Sequence, residues 1–347
     1  PDGNYDVYLE DCAKGFLTSR DNLNFEKEKH TIRYEQSSPC DLSSLLGLLY
    51  YIDAEYADAL KNLEEALVCF EKEGDKQGQI DSLYQIGRTH YQMEQYDNAL
   101  MHYEKALRTA WKIDNPDMAG NILGSLGEVY LALGQYVKAL NYFEQALTIA
   151  RDINDHQGEG KALGSLGNVY LFIGQYDKAI KYYEQTLAIS RSIGDQNMEG
   201  SILSNLGGAY RNLGQYAISI KRHEQALNIA RDIGDREGER NCLGGLGHVY
   251  SLLGQYETAG MYYEQALVIT RDIGDRNGES IILNSLGTLH NFSEQSEKAL
   301  EYTEQALDIA RDIGDRGVEG NCLGNIGDAY LSMEQYEKAV ESYEQAL

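Results

Sequence analysis

The sequence predicts an all-α solenoid, a row of antiparallel helical hairpins. Three observations predict it. From Asp41 onward one pattern returns every 40 residues without insertion or deletion. Each unit holds two stretches whose apolar residues recur at helical spacing. Cap and turn residues separate those stretches at fixed places.

The repeat shows first in one apolar phase: Leu46, Ile86, Leu126, Leu166, Leu206, Leu246, Leu286 and Ile326. A glycine follows each, from Gly47 through Gly127 and Gly167 to Gly327. Three residues further on stand Tyr50, Tyr130, Tyr170, Tyr210, Tyr250 and Tyr330, with His90 and His290 in two units. Seven full units run from 41 to 320, and 321–347 is an incomplete eighth. Each unit packs on its neighbours, so the chain need not divide into the globular domains its length would suggest.

One unit shows the element order. Asp155 is a good N-cap, because its carboxylate accepts from free N–H groups of the first turn. Leu163, Leu166, Val169 and Tyr170 then mark a first helix, which stops near Gly174. A second helix starts near Tyr176 and turns Ala179, Ile180, Tyr183 and Leu187 to the core. It ends at Ile193, Gly194 takes the left-handed conformation, and Asp195 caps the next unit. The Ile-Gly-Asp element recurs at 193–195, 233–235, 273–275 and 313–315. Asp114-Asn115-Pro116 replaces it once, and Pro is preferred at the first helical position. Glycines inside the first helix (124, 127, 164, 167, 244, 247, 324, 327) each cost ~1 kcal/mol of helix propensity relative to Ala. Repetition of that cost predicts close helix approach at these positions.

Residues 1–40 do not fit the repeat. Tyr5–Leu17 and Leu23–Tyr34 are expected as helices capping the first hairpin, or as a linker, ahead of the array at 41–347. The chain opens with Pro1 and stops inside a helical pattern at Leu347, as expected of a piece of a longer protein.

Composition excludes some classes of function. The formal charge is -25, from 55 acidic and 30 basic residues. Phosphate backbones require clustered Lys and Arg, so nucleic acid is not an expected partner. An anionic membrane surface is disfavoured for the same reason. No stretch approaches the ~18 apolar residues of a membrane span, and no signal peptide opens the chain. Five cysteines (12, 40, 69, 242, 322) are odd in number and lack CxxC spacing, which fits a reducing compartment and a cytoplasmic location.

Chemistry-bearing motifs fail on context. Gly158, Gly160 and Gly164 sit at a helix–helix turn, whereas a dinucleotide glycine motif follows a strand. Asp235, Glu237 and Glu239 alternate as in a calcium loop, but Arg240 and Leu246 stand where glycine and glutamate are required. That run reads as a cap plus solvated charge. His90, His290 and His223 replace core aromatics and read as packing residues. No catalytic residue, cofactor site or metal site is expected, and the chain is not expected to be an enzyme.

Leu163, Leu166, Gly167, Tyr170, Ala179 and Tyr183 carry a family resemblance. Their spacing is similar to the tetratricopeptide signature. The family's first Trp is Leu here, its terminal Pro is absent, and the unit is 40 residues rather than about 34. This variant resembles the Leu-Gly-Asn repeat proteins that orient the mitotic spindle and the arrays of bacterial multidomain signalling proteins. The resemblance implies a right-handed superhelix whose inner face is lined by the first helices. It implies a scaffold that binds an extended or helical protein segment in that groove. The alternative is a sensor or regulatory arm of a larger signalling enzyme whose catalytic domain lies outside this chain. The implied groove residues are Tyr84, Arg88, Glu128, Leu131, Asn168 and Leu171, continuing through Phe172, Asn205, Arg211, His248, Asn284 and Asn291. The asparagines suit peptide backbone groups, and Leu131, Leu171 and Phe172 give an apolar patch. The incomplete last hairpin exposes an apolar face, so end-to-end self-association is also expected.

Overall fold

A computed structural model of the chain describes residues 7–8, 23–26, 31–34 and 38–346. Three short strands come first: β1 (Val7–Tyr8), β2 (Leu23–Glu26) and β3 (Thr31–Tyr34). They form an antiparallel sheet in the order β1-β3-β2, with Phe25 opposite Ile32. The helix expected over Leu23–Tyr34 is therefore not what forms there. Leu23/Phe25 and Ile32/Tyr34 alternate with polar residues, a period of two that suits a strand. The rest of the expected Tyr5–Leu17 helix lies outside the described residues.

Helices then alternate in hairpins: α1 (Pro39–Ile52) with α2 (Tyr56–Glu73), α3 (Lys76–Gln92) with α4 (Tyr96–Lys112), and α5 (Pro116–Ala132) with α6 (Tyr136–Asp152). Next come α7 (His156–Phe172) with α8 (Tyr176–Ile193), α9 (Gln196–Asn212) with α10 (Tyr216–Ile233), and α11 (Arg236–Leu252) with α12 (Tyr256–Asp272). The last are α13 (Arg276–Phe292) with α14 (Ser296–Ile313), and α15 (Arg316–Ser332) with α16 (Tyr336–Ala346). The chain divides into two compact units, Pro1–Ala162 and Leu163–Leu347. In the first, first helices of successive hairpins touch, α1 with α3 and α3 with α5; in the second, α9 touches α11 and α13 touches α15.

The caps follow the predicted chemistry. The side chain of Asp195 accepts from Met198 N, and Asp235 and Asp275 accept from Gly238 N and Gly278 N. Asn115 does the same for Met118 N ahead of Pro116. Gly194, Gly234 and Gly314 take φ of 71–75° as left-handed C-caps. An ion pair unread in the sequence ties the junctions at Asp155, Asp195, Asp235, Asp275 and Asp315, though not the one at Asn115. Arg151, Arg191, Arg231, Arg271 and Arg311 each place Nε 2.7–2.9 Å from the glutamate eight residues on. Glu239 is thus not solvated charge: it is nearly buried and pairs with both Arg231 and Arg236 at 2.8 Å.

The core repeats one contact. A side chain of each second helix lies over the recurring glycine of the first, an aromatic ring in all but the hairpins of Leu63 and Thr303. A Cβ on Gly127 would fall 2.6 Å from Phe143, and one on Gly167 would fall 2.5 Å from Tyr183. The other glycine phase behaves differently from expectation. A Cβ on Gly124 or Gly324 meets nothing within 4 Å, and one on Gly164 or Gly244 makes ordinary contact at 3.5 Å. Close approach explains one phase only. The tyrosine phase stacks on the second helix, Tyr170 on Tyr182 at 5.4 Å and His290 on Tyr302 at 5.3 Å. Histidine there is a packing residue, as expected.

The cysteines depart from the sequence reading. Cys40 and Cys69 form a disulfide between α1 and α2, with Cα atoms 5.2 Å apart. Their 29-residue separation is no motif, but the hairpin brings the two positions together. In later hairpins the same pair is Gly120 against Ile149 and Gly200 against Ile229. The staple removes the basis for inferring a reducing compartment. Cys242 and Cys322 are buried free thiols.

Two substitutions in α5 separate the two kinds of glycine. Gly127→Ala should destabilise by about 1–3 kcal/mol through overpacking against Phe143. Gly124→Ala should stabilise by up to about 1 kcal/mol through helix propensity. Urea and thermal unfolding of both variants would check the opposite signs.

Candidate ligand face

In the first unit, α3 and α5 present Tyr84, Arg88 and Glu128. Arg88 lies with its guanidinium 4.9 Å from the Tyr51 ring centroid and donates to Tyr51 Oη at 3.3 Å. Ser125 Oγ donates to Tyr84 Oη at 3.2 Å. Glu128 is solvent-accessible, yet burial raises its carboxyl above the usual range while Arg88 and Lys161 pull it down. Leu131 is half-buried one turn on.

In the second unit the predicted residues form cross-hairpin bonds. Asn168 Oδ1 accepts from Tyr183 Oη at 2.7 Å and from Asn205 Nδ2 at 3.3 Å. Arg211 Nη1 lies 3.1 Å from His248 Nδ1. Asn325 Nδ2 donates to Asn284 Oδ1 and Thr288 Oγ1, both at 2.8 Å. Asn291 Nδ2 donates to the backbone oxygen of Asn325 at 2.9 Å. Apart from the Tyr183–Asn168 bond within one hairpin, these links span 34–41 residues, so adjacent first helices are laced along one face. Asn325 was missed in the sequence. Its phase, two residues before the recurring glycine, carries polar Gln85, Ser125 and Asn205 elsewhere, and that was the available signal.

Two predicted residues sit apart from this lacework. Leu171 is half-buried against the core of the second unit. Phe172 ends α7 and is 65% exposed, and its equivalent Phe292 stacks on Tyr256 at 6.2 Å. The apolar patch is thus split between core and helix end.

His223 fills the core position of its hairpin without a polar partner. It is 3% exposed, and neither ring nitrogen has a hydrogen-bond partner. Burial, with Arg211 and His248 adding, pushes its pKa down to about 4. As for metal chemistry, the one group of three or more His, Cys, Asp or Glu within ligand reach among the described residues is Cys40, Cys69 and Glu73. Its two sulfurs are engaged in the disulfide. Among the described residues no helix is long and apolar enough to cross a membrane.

The His223 ring protonates near pH 6.5 when unfolded and near pH 4 in the fold. Its neutral form therefore contributes full stability above about pH 6.5, which is lost as pH falls toward 4. His223→Tyr should remove about 3 kcal/mol of acid-induced loss across that window. Urea midpoints of both proteins at pH 7 and pH 4.5 would measure the difference.

Comparisons with known proteins agree with this architecture. Solved structures of similar fold include the apo form of the quorum sensor NprR from B. thuringiensis, with a TM-score of 0.70 and 15% identity over 88% of this chain and 86% of that one. A signal transduction ATPase with a tetratricopeptide repeat sensor from Pyrococcus horikoshii has a TM-score of 0.67 and 18% identity. The match covers 89% of this chain and 47% of that one. A Rap protein complexed with competence and sporulation factor has a TM-score of 0.64 and 18% identity, covering 90% and 87%. At these identities the likeness is one of fold. No curated protein matches the sequence. The tetratricopeptide repeat profile matches residues 40–110, 118–192, 199–272, 243–312 and 278–347, and the chain belongs to that family.

Proposed function

We propose that this chain is a protein-interaction module that takes an extended or helical protein segment along the face made by its first helices. The observation that carries the reading is the pattern of variation. Positions under the face repeat: Gly127, Gly167 and Gly247 each receive an aromatic ring. Positions on the face do not: Arg88, Glu128, Asn168, Gly208, His248, Thr288 and Asp328 share one phase. Within each unit, a row of unlike polar side chains on stacked first helices can read successive residues of one ligand. The family supports a binding role, and the Rap structure holds a bound factor. Fold alone does not choose the partner.

A second reading is supported by one comparison. The chain matches 47% of a signalling ATPase described as carrying a tetratricopeptide repeat sensor. In that arrangement the face would serve a larger polypeptide as its sensor arm.

Affinity capture from the source cell's extract tests the first reading. Wild type, Asn168→Ala and the Asn168→Ala/Arg211→Ala double variant are compared, with circular dichroism confirming unchanged helicity. A retained partner should bind about tenfold more weakly to the single variant and be lost with the double. Undiminished capture by the double variant would sink the groove reading.

A further inference from the structure

The step from α9 to α11 carries a pocket that its neighbours fill. At the step before, Ile202 of α9 packs over Gly164, its Cδ1 3.5 Å from where a Cβ on that glycine would stand. At the step after, Ile282 of α13 does the same for Gly244 at 3.5 Å. Between them the equivalent residue is Cys242, opposite Ser204. A single sulfur does not reach as far as the Cδ1 of isoleucine. One turn earlier stands Gly238, where α9 has Met198. The other cysteine of this phase, Cys322, keeps larger company: Val318 one turn earlier, and Asn284 opposite, bonded to Asn325. The small residues of α9 and α11 leave a cavity of about 270 Å³ against α10. A space of ~150 Å³ already takes up a benzene ring.

The walls of the pocket divide by chemistry. Its floor is apolar: Ala226, Ile229, Ala230 and Ile233 of α10, with the Cys242 thiol. Burial, with Asp235 and Glu239 adding, pushes that thiol up to about 11, so the sulfur is neutral. One end lies by Ser204 and Asn205, and Asn205 is bonded to Asn168 on the ligand face. The other end lies by Asn197, Asp235 and Glu237, where α9 and α11 begin. The two ends stand about 12 Å apart along α9, at 1.5 Å of rise per residue. Charge in the lining is one-sided, with Asp235 and Glu237 but no Lys, Arg or His. The arginines close by are engaged elsewhere, Arg231 and Arg236 on Glu239 and Arg240 on Asp275. Asp235 caps α11 through Gly238 N, which answers the partial charge of that helix end. Glu237 is exposed and has no cation paired with it among the described residues.

We propose that this pocket receives a basic side chain, Arg or Lys, of the protein segment held on the ligand face. It enters beside Ser204 and Asn205, lays its stem on Ile229, Ile233 and Cys242, and brings its charge to Glu237 and Asp235. The assignment rests on the interaction-module reading above. Only a long side chain with an apolar stem and a cationic head matches both halves of the wall. An acidic side chain would meet two carboxylates of its own sign. An aliphatic one would cover the polar end without giving it a partner. The chain's charge of -25 favours the encounter.

Full-length chain labelled at its isoleucine δ-methyls is titrated by NMR with N-acetylarginine N-methylamide, a lone basic side chain on a capped backbone. The lysine, citrulline and leucine amides are run as separate arms. The Ile229 and Ile233 signals should move saturably with arginine and lysine, with a millimolar Kd suited to one charged contact. Citrulline, which keeps the shape without the charge, should bind at least about threefold more weakly. Glu237→Gln should weaken arginine by about the same factor. Cys242→Ile, which installs the residue of the neighbouring first helices, should fill the pocket and remove the response, with the melting temperature held or raised. No saturable shift, an equal response to citrulline, or an arginine response surviving Cys242→Ile overturns the proposal. Should Cys242→Ile fail to fold, an arginine response undiminished in Glu237→Gln overturns it instead. Tighter binding of the leucine amide overturns it in favour of an aliphatic occupant. Failure here alongside loss of capture in the Asn168→Ala/Arg211→Ala variant would strike the pocket and leave the interaction-module reading standing.

Discussion

A side chain of each second helix, most often an aromatic ring, pressed onto a glycine of the first is the contact on which the rest of the structure depends. It sets how near two helices come, because any Cβ at that glycine would enter the side chain opposite. Nearness in turn lets the ring's tip pass through to the opposite face. Tyr183 does this, and its hydroxyl fixes Asn168 in place. Core and ligand face are thereby one system: the same side chain packs below and orients above. The helical cost of the glycine is tolerated because packing repays it in every hairpin.

Junctions between hairpins obey a second constraint. The chain must reverse while leaving no helix end unsatisfied. A left-handed residue, an Asp or Asn cap and an arginine–glutamate pair across the turn together meet that demand. Where glycine is missing, Asp114 and Asn154 take the left-handed conformation at φ of 56° and 58°. The first hairpin alone among those described adds a covalent staple, Cys40–Cys69, at a position where others pack glycine against isoleucine.

Function enters through departures from these rules. A repeat that is uniform below and varied above offers a fixed frame with a changeable surface. His223 is the clearest departure, because it changes the core and the face at once. Substituting imidazole for phenol leaves two buried nitrogens unanswered, a state that folded proteins mostly avoid. Arg211, bonded to His248 and Asn212, lies near enough to disfavour a proton on the His223 ring.

The sequence by itself determined the hairpins, their order and their caps. All of these depend on residues at most a few turns apart, so periodicity and cap chemistry reveal them. It also placed Asn168, Asn205, Arg211, His248 and Asn284 on one face. It misjudged Leu23–Tyr34, where short-range alternation and helical spacing compete over few residues. Only the tertiary structure decided which glycines are filled by rings, because Gly124 and Gly127 look alike until a neighbouring helix is set against them. The disulfide and the links from Asn168 to Asn205 and from Arg211 to His248 join residues 29 to 37 apart. Such contacts exist only after the hairpins pack, and no local signal in the chain encodes them.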